Sequence, residues 1–133
     1  MASDAEPLLE PGMALDRLAA WQHDIDQVVA RTRAATARLA ALRVSASDPR
    51  GLVRVTLDAQ GTLHDIRFTA RLDHYDPDVV SRTIMAAVRD ARRRAAGDSA
   101  LVIEETLGSA SVAARELTAR VAERLRTSPE DRP

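Results

Sequence analysis

Hydrophobic positions recur along the first third of the chain at alternating spacings of three and four. Leu18, Trp21, Ile25, Val28, Ala35, Leu39 and Leu42 follow this rhythm, with Thr32 filling one slot. Held over roughly four heptads, the spacing predicts a long helix from about Ala14 to Leu42, carrying a coiled-coil seam that wants a partner helix. The spacing leaves open whether that partner belongs to the same chain. Asp16, Asp24 and Asp26 lie in the N-terminal half of this helix, and Arg38 and Arg43 lie near its end. The helix dipole favours that order.

The period then changes to two. Ser47-Asp48-Pro49-Arg50-Gly51 is a turn signal. From Leu52 to Asp58, the apolar Val53, Val55 and Leu57 alternate with Arg54, Thr56 and Asp58. Asp58-Ala59-Gln60-Gly61 reads as a hairpin turn, with Gly61 supplying a positive φ. Leu63 to Thr69 alternates again, with Ile66 and Phe68 on the apolar face. Arg43 to Ser47 offers a short additional strand. Together these segments predict an antiparallel meander, one face against helix and one face open.

Asp76-Pro77-Asp78 opens the next helix, with Asp76 as N-cap and Pro77 at the first helical position. Its apolar stripe is Val80, Ile84, Ala87, Val88, Ala91, Ala95 and Val102. Gly97 is expected to weaken this helix, or to break it near Ala96. Gly108-Ser109 is a second break, and Ala110 to Leu125 forms a last amphipathic helix with Ala114, Leu117, Val121 and Leu125 on one side. The resulting fold class is α+β: a long helix, an antiparallel two- or three-stranded β-meander, a long helix and a C-terminal helical extension. Residues 14–108 form the domain and residues 109–126 the C-terminal helix. Residues 1–13 read as a disordered acidic tail, and residues 127–133 as a second tail.

Composition thins the expected core. Of 133 residues, 45% are hydrophobic but only 2% are aromatic, so Ala, Leu and Val must do the packing. Small side chains bury little area each, which favours self-association. A homodimer is expected, covered through Leu18, Trp21, Ile25 and Val28 of the seam and Val53, Val55, Ile66 and Phe68 of the sheet. The absence of Cys excludes disulfides, thiol catalysis and thiolate metal sites. No charged-then-apolar leader opens the chain, and its uncharged stretches are too short to span a bilayer. A cytoplasmic protein without membrane contact is expected.

Catalytic chemistry finds little support. His23, His64 and His74 are far apart and lack ligand-like neighbours, so no metal is expected. His64 alternates with Ile66 and Phe68, which suggests a partly buried structural role. The serines have no nucleophile elbow or partner His. Asp73-His74-Tyr75-Asp76 sits at a helix start, where capping and loop ordering explain it. Gly51 and Gly61 belong to a hairpin and form no phosphate loop. Trp21 lies on the seam, where packing explains it better than base stacking. No cofactor and no enzymatic activity are expected.

Charge is more informative. Lys+Arg is 19, all of them Arg, against 20 Asp+Glu. A formal charge of −1 argues against a simple polycation. The arginines are nevertheless segregated. Arg31, Arg33, Arg38 and Arg43 have no acidic residue between them, and Arg82, Arg89, Arg92, Arg93 and Arg94 are interrupted only by Asp90. In antiparallel helices these basic halves are expected side by side, with Glu104 and Glu105 towards the far ends. At about 100° per residue, Arg82, Arg89 and Arg93 share one stripe, opposite Val80, Ile84 and Ala91. Arg pairs bidentately with phosphate. On charge alone, a solvated helix face remains the commoner explanation.

The order of motifs adds a resemblance. Gly51-Leu52-Val53-Arg54-Val55-Thr56-Leu57-Asp58, then Gly61-Thr62-Leu63-His64-Asp65-Ile66-Arg67-Phe68, precede a helix led by Asp76-Pro77 and containing Ala86, Ala87, Asp90 and Ala91. This arrangement, over roughly Leu15 to Gly108, resembles the YbaB/EbfC family of small nucleoid-associated proteins of bacteria. The Arg-only, Ala-rich usage is that of an actinobacterial-looking member. The resemblance implies a homodimer whose long helices project from a shared sheet like tweezers. It also implies binding to duplex DNA, with little sequence preference. Arg31, Arg33, Arg38, Arg82, Arg89, Arg92, Arg93 and Arg94 are then the candidate phosphate contacts. The alternative reading is a protein-interaction adaptor or chaperone-like factor, associated with type VII secretion and without DNA binding. That reading would use a protein partner on the apolar seam or the C-terminal helix, whereas DNA binding requires the basic band.

Overall fold

A computed structural model of the chain describes residues 11–108 and 110–126. Helix α1 spans Pro11–Ala41, and strands β1, β2 and β3 span Val44–Ser47, Val53–Leu57 and Leu63–Phe68. A short 3-10 segment, Ala70–His74, leads into helix α2, Pro77–Leu107, and helix α3 covers Val112–Arg126. The α+β order expected from the periodicities is present, and the optional first strand is formed. The 3-10 segment has no periodicity in the sequence to announce it. The first helix starts at Pro11, ahead of Ala14. Residues 1–10 and 127–133, expected as tails, lie outside the described residues.

Two copies of one four-residue device build the sheet. Asp48-Pro49-Arg50-Gly51 and Asp58-Ala59-Gln60-Gly61 both place Asp first and Gly last, with Gly51 at φ 69° and Gly61 at φ 83°. Only glycine takes that backbone geometry without a Cβ penalty. In each turn the Gly N–H donates to the Asp carbonyl, at 3.0 Å for Gly51 and 3.1 Å for Gly61. The Asp side chain then accepts the loose N–H groups that follow. Asp48 Oδ1 accepts from Leu52 and Val53 at 2.7 Å each, and Oδ2 from Arg50 at 3.0 Å. Asp58 Oδ1 accepts from Gln60 at 2.8 Å and Thr62 at 3.0 Å. Its Oδ2 meets His64 Nε2 at 2.8 Å. His64 is therefore exposed and turn-anchoring, not partly buried as its alternation with Ile66 suggested. The cause is a register shift between Thr56 and Leu57, which breaks the alternation at this end of β3. Partial withdrawal of Asp58 from water would raise its pKa, but hydrogen bonds from His64, Thr62 and Gln60 outweigh this and hold it below its ordinary 3.8.

The strands form an antiparallel sheet in the order β1-β2-β3. Register pairs Val53 with Phe68, Val55 with Ile66 and Leu57 with Leu63, so these residues share one face. Helix α2 lies across that face over β1 and β2, seating Ala87 and Ala91 on Ala46, Val53, Val55 and Leu57. Burying each such Val or Leu contributes about 1.5–3 kcal/mol. Strand β3 overhangs this cover, leaving Phe68 50% and Leu63 47% exposed.

The second half of α2 joins a second, mostly helical core that also takes in Val44 of β1 and Ala59 of the second turn. Ala95, Val102 and Ile103 pack with Leu39 of α1 and with Ala114, Val121 and Leu125 of α3. Gly97 does not break α2, which runs unbroken to Leu107. A helical Gly costs about 1 kcal/mol, less than the burial secured by Ala95, Val102 and Ile103 on either side. Gly108 stops the helix at φ 78°, its N–H bonded to the Glu104 carbonyl at 2.9 Å. Asp76 occupies the N-cap position of α2, but its side chain makes no capping hydrogen bond. Ser111 Oγ does cap α3, accepting from the Ala114 N–H at 3.0 Å.

Candidate nucleic-acid interface

Arginine reaches the surface of α2 because the inward face is taken by a stripe of small residues. Ala87, Ala91, Ala95 and Ser99 recur every four residues and are all buried. At about 100° per residue, Arg82, Arg89 and Arg93 fall on the opposite side. All three are exposed, as is Arg94, and Arg92 is half-buried.

The acidic interruption divides this set. Asp90 accepts from Arg93 at 3.1 Å and from Arg94 at 3.3 Å. Among the described residues, no carboxylate pairs with Arg82, Arg89 or Arg92. Among the described residues these α2 guanidinium groups keep donors open to an anion, Arg82 and Arg89 exposed and Arg92 half-buried.

The basic segment of α1 is not beside that of α2. Helix α1 meets α2 near its own C-terminal end, where Leu39 packs with Ala95, Val102 and Ile103. The contact is offset along α2: Ala35 and Leu39 are the buried residues of α1, and Arg38 pairs with Glu105 at 2.7 Å. Arg38 of α1 therefore faces Glu105 at the acidic end of α2, which the charge pattern had placed at the far end. Seam packing sets this offset, and the first half of α2 is occupied by the sheet. Arg31 and Arg33 remain exposed on the part of α1 that projects past the helical core.

The residues expected to mediate dimerisation are similarly divided. Val53 and Val55 lie under α2 of the same chain, at 1% and 0% exposure. Leu18, Trp21, Val28 and Phe68 are exposed, while Ile25 and Ile66 are half-buried. Trp21 is thus 60% exposed, despite its seam position.

Some basic residues escaped the helix-based reading because they sit on turns and strands. Arg50 lies on the first turn with its guanidinium carbon 5.5 Å from the centre of the Tyr75 ring. Arg54 stands opposite Arg67 on the outer face of the sheet, and Arg67 pairs with Asp65 at 2.8 Å. The Asp-x-x-Gly turn would have placed Arg50; its contact with Tyr75, 25 positions away in sequence, had no local signal. Among the described residues, no cluster of three or more His, Cys, Asp or Glu is placed to hold a metal, and no helix is long and apolar enough to cross a membrane.

No curated protein matches the chain. A family model described as the YbaB/EbfC DNA-binding family matches residues 15–110. That span runs from the projecting helix through the sheet to the end of α2, and it leaves α3 outside. With most of its length matched, the chain belongs to the YbaB/EbfC DNA-binding family.

Proposed function

We propose that the protein is a non-enzymatic, nucleoid-associated component that binds duplex DNA as a homodimer through arginine–phosphate contacts. The observation that carries the reading is the outward pair Arg82 and Arg89, with half-buried Arg92 on their flank, none of them paired with a carboxylate among the described residues of a chain from a DNA-binding family. Arg93 and Arg94 contribute less, because Asp90 already engages them. Arg31 and Arg33 supply a second set of contacts from the projecting part of α1, and Arg38 is held back by Glu105. Phosphate contacts fix position without reading bases, so sequence preference is weak.

Two uncovered apolar surfaces support the dimer. One is the overhanging edge of the sheet at Leu63 and Phe68, and the other is the projecting seam at Leu18, Trp21 and Val28. Burial of either by a second copy adds the apolar area that an aromatic-poor chain lacks. A second copy also doubles the arginine row.

The test is fluorescence anisotropy with a labelled duplex at low and near-physiological salt, beside light scattering. A dimer whose affinity falls steeply with salt is expected. A chain that fails to bind duplex even at low salt refutes the proposal.

A further inference from the structure

A second basic feature lies where the first β-turn meets α2. An open cleft of about 380 Å³ separates Pro49 and Arg50 of the turn from Val79, Arg82, Thr83 and Ala86 of the helix. Arg50 and Arg82 are both exposed, and no carboxylate among the described residues pairs with either. The cleft has one acidic neighbour, Asp48. Asp48 is buried, and its carboxylate accepts from the N–H groups of Arg50, Leu52 and Val53. Those donors occupy the carboxylate oxygens without removing their charge, and the two arginines outweigh that single negative charge. Arg50 is also positioned: its guanidinium rests 5.5 Å from the Tyr75 ring centre, a cation–π contact that limits its swing.

We infer that this cleft seats a phosphodiester of the duplex backbone, gripped between Arg50 and Arg82. The inference rests on the DNA-binding reading and adds to it a residue and a place. Arg82 belongs at once to the cleft and to the outward row. Arg89 lies two turns further, about 10 Å along the helix axis. Backbone charge along one strand recurs about every 3.4 Å of duplex axis. One strand thus reaches the cleft and Arg89 together, a continuity that an isolated anion pocket would not need. A free phosphate offers the same group, so the test must separate the two sources.

The experiment compares the full chain with Arg50→Gln, the Arg50→Gln/Arg82→Gln double variant and Arg115→Gln, an exposed α3 control. Each is titrated with labelled duplex at several salt concentrations, after melting curves confirm equal folding. Loss of roughly one unit of salt slope for each cleft arginine removed, and little for Arg115→Gln, is expected. Tyr75→Leu keeps the charge and should weaken binding with little change in slope. If the wild type binds and Arg89→Ala weakens it, but the cleft variants behave like Arg115→Gln, the cleft is no phosphate seat while the DNA reading survives. If the wild type fails to bind duplex at low salt, both fall. Amide shifts at Arg50 and Arg82 with millimolar inorganic phosphate, without any cleft effect on duplex binding, would assign the site to free phosphate and overturn the inference.

Discussion

Arg89 and Arg93 occupy the same stripe of α2 but differ in what they touch. Arg93 is held by Asp90 at 3.1 Å, whereas Arg89 has no carboxylate partner among the described residues. Under the proposed function, Arg89→Ala lowers duplex affinity and salt slope more than Arg93→Ala does. Equal losses in anisotropy titrations would mean that the Asp90 contact does not persist in solution. Asp58 makes a prediction of a different kind. Its hydrogen bonds hold the folded pKa below the ordinary 3.8, so its stabilisation is complete above that value. It is lost as pH falls through the lower, folded pKa. Asp58→Asn, which keeps the shape but cannot ionise, should flatten the acid limb of a stability–pH profile measured by denaturation. An unchanged acid limb would remove Asp58 from the linkage. The turn position of Asp58 was legible from its Asp-x-x-Gly context, but the His64 contact depended on the register shift.

At the scale of elements, periodicity placed all three helices and both longer strands within a few residues. It failed at Gly97, where local propensity and tertiary packing disagree. The helix continues because Ala95 and Ser99 lie in its buried stripe and Val102 and Ile103 close the helical core behind them. A Cβ built on Gly97 meets nothing within 4 Å. Gly97→Ala is therefore expected to stabilise the chain by about 0.4–1 kcal/mol, through a less flexible unfolded state and a better helix. Denaturant melts test this, and a loss of stability would show that the glycine serves another purpose. Ser99 is the opposite case: its hydroxyl is fully buried and has no hydrogen-bond partner among the described residues. Its small size suits close helix packing, and the structure offers no polar reason for the hydroxyl.

The whole molecule is two half-cores strung along one helix. The first half of α2 belongs to the sheet and the second mainly to α1 and α3, with Val44 and Ala59 at the join. This division determines where the charges sit. The α2 arginines stand behind the sheet-facing half, and Arg38 of α1 stands beside the acidic half. It also leaves β3 partly bare. If the proposed dimer closes over that edge, Phe68→Asp should shift light scattering towards the monomer while leaving the fold intact, since Phe68 is 50% exposed. A variant that stays fully dimeric would move the interface to the α1 seam.

The sequence by itself determined the element order, the turns and the outward row of α2, because these follow from local periodicity and from the backbone demands of Asp, Gly and Pro. Tertiary structure alone decided three further matters. The heptad seam divides into a covered end at Ala35 and Leu39 and an open stretch where Leu18, Trp21 and Val28 are exposed. The two basic segments lie apart, and Arg50 comes to rest on Tyr75 beside Arg82. Each depends on how far one element is offset along another. That offset is set by side-chain packing between residues distant in the chain, and no local period encodes it.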